Sequence, residues 1–567
     1  MISNKEPFNL IDFLDGENLP LKNRVNAAGY YEPGRSGAGS PSATLIPSEP
    51  LGEGEQYRFH FDMTLCVGCQ CCVVACNEQN NNPASVNWRR VGEIEGGVYP
   101  DTKKYHLSMA CNHCLDPACL TGCPTDAYVK LADGIVKHQA EECIGCGYCT
   151  WNCPYGVPQY NPERNIVTKC DMCHSRLKEG QLPACVAACP EQAIKIEKVN
   201  VEEWRQNHSQ ANAPHVPDSA ITISTTRITL PREVPETMLR GNRHRVQPEK
   251  PHTSLIFMTV LTQLAAGGFL TLWLADMLSG MVNAFRPIRD FFAFGVSGML
   301  IVTALALFAA VFHLGRPLYA YKALRMWRRS WLSREVLLFA LFSNTGAAYV
   351  ALQWAMHYWK FTLPDSLNLV FGMLVVFLGL SGVYASARIY LVPARPAWNT
   401  ARTPLRFFLT GFILGPLFAL VVYSLYVLHV SSPAAVAAFF TGPVYGFLGV
   451  SALAGLFQLC LLLSRLFYLR EDQPEELYSS TFLLTYRFRK HFLTRIVLLA
   501  TGCFFIPLFI YHPLAAGSLS PAMLTGLAMA AFILSLLGEF LGRYLFFVTV
   551  VPKNMPGSFF SGAGGGH

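Results

Sequence analysis

Sixteen cysteines in four tight runs dictate what the first third of this 567-residue chain can fold into. Cys66-x2-Cys69-x2-Cys72-x3-Cys76 shares its spacing with Cys143-x2-Cys146-x2-Cys149-x3-Cys153-Pro154. Cys111-x2-Cys114-x4-Cys119-x3-Cys123-Pro124 is longer in the middle, and Cys170-x2-Cys173 is followed after eleven residues by Cys185-x3-Cys189-Pro190. Three close thiolates on a tight loop seat three irons of a cubane, and the fourth iron needs a ligand from farther away. In two-cluster ferredoxins the fourth cysteine of each run serves the other cluster. Sixteen ligands therefore make four cubanes. Four-cysteine zinc sites built from C-x2-C pairs are the alternative, but the x2-x2-x3-Pro spacing fits a cluster better. Secreted disulfide scaffolds are also cysteine-dense, yet they are small and do not repeat one spacing. Cys71 is out of register and reads as a spare thiol near the first cluster.

Seventeen of the 19 cysteines lie between Cys66 and Cys189, whereas the apolar mass follows Pro251. With 51% hydrophobic and 15% charged residues overall, a purely soluble chain is excluded. The expected organisation is an extended arm over 1–56, a cluster domain over 57–199, a linker over 200–252, a membrane anchor over 253–551 and a tail over 552–567. Within the cluster domain, Ala127 to His138 reads as a hairpin turning at Asp133-Gly134. The linker carries one strand-like run, Ile221 to Leu230. The glycines at Gly34 to Gly39 and Gly562 to Gly566 do not sit between a strand and a helix, so they read as loop and tail. Met1 to Pro20 shows no twin arginine, basic n-region or apolar h-region.

Eight segments after Pro251 are long and apolar enough to span a bilayer as helices. They run about Leu255–Val282, Phe291–His313, Val336–Tyr358, Leu367–Leu391, Leu405–Leu428, Ala434–Phe467, Phe492–Tyr511 and Met523–Val550. The sixth is long enough to break at Gly442-Pro443. An even number puts both ends on one side. The excess Lys and Arg behind the net charge of +7 sits in the short loops on that side, while the opposite loops offer Arg286, Arg289 and Lys360. This is a membrane-topology pattern rather than a nucleic-acid footprint, and it puts the cysteine domain on the cytoplasmic face of an inner membrane. The fold class is an α+β polyferredoxin-like domain with four cubanes, followed by an all-α bundle of eight membrane helices.

The runs CNHCLDPACLTGCP from Cys111, CIGCGYCTWNCPYGVPQYN from Cys143 and CDMCHSRL from Cys170 resemble the iron–sulfur subunits of dimethyl sulfoxide reductase and related molybdopterin enzymes. The resemblance implies that the first run pairs with the fourth and the second with the third. Carried onto this sequence, the implied sets are Cys66, Cys69, Cys72 with Cys189; Cys170, Cys173, Cys185 with Cys76; Cys111, Cys114, Cys119 with Cys153; and Cys143, Cys146, Cys149 with Cys123. Some relatives have a tryptophan at one third-run position and hold a three-iron cluster there. Here all sixteen cysteines are present, which implies four 4Fe-4S clusters.

HLGRPLYAYKALRMWRRSWLSRE, from His313 to Glu335, resembles the membrane anchor subunit of the same reductases. The chain is thus similar to the two subunits fused. The resemblance implies a site at the membrane edge that oxidises a quinol, menaquinol in anaerobic respiration, with His313 and Glu335 as its residues. It also implies a separate molybdopterin-containing catalytic partner. The residues themselves agree: His313 ends the second span, Glu335 opens the third, and a His beside a carboxylate suits a reaction that releases two protons with two electrons. The plain alternative pairs them with Arg316 and Arg334 as topology anchors. Glu539 and Arg543 are four apart and read as an internal pair. Paired axial haem ligands are not obvious among His252, His313, His357, His429 and His512. No flavin fingerprint or nucleophile motif is present, so substrate chemistry is expected in another polypeptide. Two rivals stand: the same conduit fed by a dehydrogenase and reducing quinone, and an energy-coupled ion translocator.

Overall fold

Strand β1 (Glu55–Asp62) alternates so that Phe59 and Phe61 are buried, and it is the central strand of a three-stranded sheet. Its antiparallel partner β8 (Ile194–Asn200) sets Ile196 opposite Phe59 and Ile194 opposite Phe61. Because β1 precedes the first cysteine run and β8 follows the fourth, this one pairing brings those two runs to the same end of the domain. Between them lie three hairpins: β2 (Arg90–Val98) with β3 (Asp101–Met109), β4 (Tyr128–Lys130) with β5 (Val136–His138), and β6 (Gln159–Asn161) with β7 (Ile166–Thr168). The expected turn at Asp133-Gly134 joins β4 to β5, and that hairpin links the second run to the third. This is a computed structural model, and it describes residues 45–232, 238–241, 246–286, 288–359, 363–429, 442–469, 473–515 and 520–556. The Gly34 to Gly39 cluster, most of the arm and the Gly562 to Gly566 tail lie outside the described residues.

The stretch after Val199 is built into the front domain before it reaches the membrane. Asn200 caps the helix Val201–Asn207 by accepting from the amides of Glu202 and Glu203, as a good N-cap residue does. Trp204 of that helix is buried and donates to the Ser224 carbonyl at 2.8 Å. Of the strand-like run, only its second half is strand: β9 (Arg227–Thr229) lies parallel to β1 on the edge opposite β8, whereas Ser219–Ile221 is a helical turn.

Among the described residues, eight helices are long and apolar enough to cross a membrane: α1 (Thr253–Ser279), α2 (Ile288–Val311), α3 (Trp331–Trp359), α4 (Asp365–Ile389), α5 (Arg402–His429), α6 (Gly442–Leu463), α7 (Arg489–Ala515) and α8 (Pro521–Val548). The sixth starts at Gly442, and the 434–441 part of the expected span lies outside the described residues. The third starts at Trp331, so Glu335 lies a turn inside it instead of opening it. Helices α1 and α5 form the centre. A Cβ on Gly267 would lie 2.2 Å from the Gly411 carbonyl oxygen, so the two backbones touch where small residues permit it.

Candidate functional site

Each cysteine run is a loop that feeds a short helix, and the loops are turned by left-handed backbone. Gly68, Gln70, Gly145, Gly147, Met172 and Cys173 all have positive φ. These turns aim backbone amides at sulfur: Ala127 N–H donates to Cys123 Sγ at 3.3 Å, Met172 N–H to Cys170 Sγ at 3.4 Å and Ala193 N–H to Cys189 Sγ at 3.3 Å. Such N–H···S bonds stabilise negative charge on a thiolate.

The thiols gather in four neighbourhoods. Cys66, Cys69, Cys72 and Cys189 stand around one open cavity, and Cys111, Cys114, Cys119 and Cys153 around a second. Cys76 has Cys173 and Cys185 as electrostatic neighbours, and Cys170 has Cys76 and Cys185. Cys123 is met by Cys143, Cys146 and Cys149. Among the described residues no three His, Cys, Asp or Glu side chains converge closely enough for a single ion; the sulfurs ring spaces, as a multi-iron group needs. Burial pushes Cys72, Cys114 and Cys146 up to about 12 and Cys153 and Cys173 up to about 11. Thiolate is favoured there only beside compensating positive charge, which iron would supply. Cys71 is exposed beside Cys69 and Cys189.

Two buried cations stand among these sulfurs, and reading the runs alone missed both. Lys169, 3% exposed, has its Nζ 3.6 Å from Cys111 Sγ and donates to the Cys170 carbonyl at 2.8 Å and to the Val136 carbonyl. Burial pulls its pKa down, but Cys111, Cys119 and Cys170 outweigh that and hold it above the usual lysine range. Arg89, 2% exposed, donates to Ser108 Oγ at 3.1 Å, and Ser108 Oγ is 3.3 Å from Cys72 Sγ. The signal for Lys169 was its place directly before Cys170, a buried strand end.

The third run is wedged into the membrane bundle. Trp151, between Cys149 and Cys153, is buried at ring-centroid distances of 5.2 Å from His252, 5.4 Å from Trp398 and 5.7 Å from Tyr390, so Tyr148 and Trp151 belong to the bundle's hydrophobic core. The 313–335 stretch grips the second and third runs. Arg316 donates to the Ala140 carbonyl at 2.9 Å, Lys322 pairs with Glu142 at 3.1 Å and Arg325 also reaches Glu142. Arg329 pairs with Asp126 at 2.7 Å, and Ser330 Oγ donates to the Gly122 carbonyl at 2.7 Å. Gly145 and Gly315 meet backbone to backbone: a Cβ on Gly145, whose φ is +70°, would lie 2.9 Å from Gly315 Cα.

His313 and Glu335 both lie near this junction, the first through His252, which meets Trp151, and the second through Tyr148. His313 Nδ1 contacts the Ala310 carbonyl, and the ring is an electrostatic neighbour of His252. Glu335 is 3% exposed and has Tyr148 and Ser386 as neighbours. Ser386 faces the Glu335 carboxylate, and Asn152 faces the Tyr148 hydroxyl. Neither arginine of the anchor reading reaches these groups: Arg334 donates to the Trp327 and Arg328 carbonyls, and Arg316 holds Ala140. The expected Glu539–Arg543 pair is not closed either. Glu539 takes Thr410 and Gln458, and Arg543 takes Gln263, because the other helices offer better-aimed partners than the next turn of α8.

Comparison with known proteins agrees in both halves. Residues 102–199 match the family described as a 4Fe-4S dicluster domain, and residues 249–549 match the DMSO reductase anchor subunit family (DmsC). The front part is 42% identical over 178 residues to the B subunit of the anaerobic dimethyl sulfoxide reductase of Haemophilus influenzae, covering 30% of this chain and 86% of that protein. It is 43% identical over 161 residues to YnfG of Escherichia coli K12, a probable anaerobic dimethyl sulfoxide reductase subunit, covering 27% and 78%. The formate dehydrogenase-O iron–sulfur subunit of the same organism is 40% identical over 153 residues, covering 24% and 50%. The cluster loops, the eight helices and these matches place the protein in the dimethyl sulfoxide reductase anchor family, with an iron–sulfur electron-transfer subunit and its membrane anchor joined in one polypeptide.

Proposed function

We propose that the chain oxidises quinol at the junction of its two halves and delivers the electrons to a separate molybdopterin-containing reductase. The observation that carries this is the meeting of both halves at one buried carboxylate: Glu335 of the anchor is hydrogen-bonded by Ser386 and has Tyr148 of the third cysteine run, itself hydrogen-bonded with Asn152, as a neighbour. A buried carboxylate with a serine and a tyrosine hydroxyl beside it suits the hydroxyls of a quinol. Oxidation of one quinol to quinone releases two protons and two electrons. Glu335 takes one proton and His313 the other, and both lie on the side of the membrane where the protons leave. The sixteen cysteines, grouped as Cys66, Cys69, Cys72, Cys189; Cys76, Cys170, Cys173, Cys185; Cys111, Cys114, Cys119, Cys153; and Cys123, Cys143, Cys146, Cys149, would hold four 4Fe-4S clusters that carry electrons singly. Positive loop charge supports an inner-membrane protein with the cluster domain in the cytoplasm. The likeness to formate dehydrogenase subunits favours a second reading, the same wiring run from a dehydrogenase toward quinone. Cluster potentials set against the quinone couple separate the two.

The test uses the complex in proteoliposomes. Glu335→Gln is expected to slow quinol-driven cluster reduction by about 10²- to 10⁴-fold, while dithionite still reduces all clusters with unchanged EPR signals. Wild-type quinol kinetics in that variant would remove Glu335 from the site. Metal analysis is expected to find about sixteen irons per polypeptide, with molybdenum or tungsten in the partner.

A further inference from the structure

Among the described residues, the cluster-side ends of α5 to α8 collect five arginines around one carboxylate. Glu539, 2% exposed, accepts from Thr410 Oγ1 at 2.6 Å and Gln458 Nε2 at 3.1 Å, and Arg495 Nη2 stands 3.5 Å away. Arg543 turns to Gln263 Oε1 at 2.8 Å and lies 3.7 Å over the Phe407 ring. Arg406 donates to the Leu461 carbonyl at 3.0 Å, and Arg402 lies 4.7 Å over the Tyr468 ring. The charges of Arg402, Arg465 and Arg495 all act on Arg406, and those of Arg402 and Arg495 on Arg465. Arg465, Arg495 and Arg543 are at most 8% exposed, and Arg495 Nε and Arg402 Nη1 are buried without a partner.

A guanidinium stays charged in a protein, so among the described residues the one carboxylate balances only part of this charge. Buried charge demands an opposite charge, and the described residues around the cluster supply none besides Glu539. The cluster opens where Arg402 and Arg406 are half-buried, beside the exposed side chains of Leu405, Leu463 and Leu466. An anion that enters there has an apolar wall for its tail and unpaired guanidinium N–H groups for its head. Basic pockets between membrane helices take anionic lipid head groups in this way.

We infer that Arg402, Arg406, Arg465 and Arg495 bind the phosphate of an anionic phospholipid whose acyl chains lie along Leu405, Leu463 and Leu466. The site is on α5, α7 and the turn after α6, apart from Glu335 and Ser386 on α3 and α4, so it does not depend on the quinol reading.

The full-length protein with its clusters is placed in nanodiscs of phosphatidylcholine alone or mixed with phosphatidylglycerol, then delipidated, and the retained lipid is measured by mass spectrometry. Retention of phosphatidylglycerol over phosphatidylcholine is expected, together with a higher melting temperature in the mixed discs. Each of Arg402→Gln and Arg465→Gln is expected to cut that selectivity about fivefold. Arg402 sits at the half-exposed mouth, so its variant tests the site even where Arg465→Gln fails to fold; unchanged cluster EPR shows an intact protein. Equal retention of both lipids overturns the proposal, as does unchanged selectivity in Arg402→Gln. Inorganic phosphate giving the same stabilisation in phosphatidylcholine discs would assign the site to free phosphate and overturn the lipid.

Discussion

The cluster domain and the membrane bundle both bury cations, but they balance them with different chemistry. In the front, Lys169 and Arg89 are sealed among cysteine sulfurs, and Arg89 is held above the usual arginine range because Cys185, Cys72, Cys170 and Cys76 outweigh the cost of its burial. In the bundle, Arg495 and Arg543 sit around a single carboxylate and lean on amides, carbonyls and aromatic faces. Under the proposed function the front cations stand beside the electron path, where a positive charge would stabilise a cluster's reduced, more negative state. The charge of the bundle cations is met only in part by the described residues of the helices. Burial by itself therefore says little about what a cation is for; its neighbours decide.

The sharpest way to break this comparison is Lys169→Met, which keeps apolar volume and removes the charge. The cluster proposed for Cys111, Cys114, Cys119 and Cys153 is expected to become harder to reduce, its midpoint falling on the order of 100 mV, read by EPR redox titration. Because Lys169 is held above the normal lysine value, the shift should be the same at pH 6 and pH 9. An unmoved potential would make Lys169 a packing residue.

A smaller effect is expected in the bundle. A Cβ on Gly542 would lie 2.3 Å from Arg495 Cζ, so Gly542→Ala must shift the guanidinium that stands 3.5 Å from Glu539. We expect a loss of about 1–3 kcal/mol in stability, measured by thermal unfolding in detergent, with cluster potentials unchanged. No loss would mean that Arg495 is loosely held and the bundle's charges are better balanced than their partners suggest.

The smallest effect belongs to a cation of the front domain with an ordinary carboxylate partner. Arg58 Nη2 is 2.8 Å and His60 Nδ1 2.6 Å from Glu197. Burial raises the Glu197 pKa, but His60 and Arg58 outweigh it and hold the carboxyl at about 2. The stability from this pairing is complete above the unfolded value near 4.5 and drains as pH falls toward 2. The group is partly exposed and screened, so Glu197→Gln is expected to cost only about 1 kcal/mol at pH 7, seen as a modest drop in melting temperature that vanishes in acid.

Much of the fold was legible because its signals are local. The cysteine spacings, the Asp133-Gly134 turn and the eight apolar runs each lie within a short stretch of sequence, and the structure keeps all of them. Helix ends were less legible: α3 begins at Trp331 because its polar first turn packs against the second cysteine run, with Ser333 Oγ donating to the Pro124 carbonyl at 3.3 Å. Composition alone reads Arg316, Lys322, Arg325 and Arg329 as a topology signal, yet each also takes an oxygen of the cluster domain. Nothing in the sequence around Trp151, which lies between two cysteines, marks it as part of the bundle core.

By itself the sequence determined the cysteine runs, the helical spans and the order in which the two halves follow each other, because ligand spacing and apolar length are properties of contiguous residues. Only the tertiary structure decided which sulfurs share a neighbourhood, where Lys169 and Arg89 meet them, that Trp151 enters the bundle, and that Glu539 turns from Arg543 to Thr410 and Gln458. Those outcomes depend on packing between segments far apart in the sequence, where the best-aimed partner wins over the nearest one.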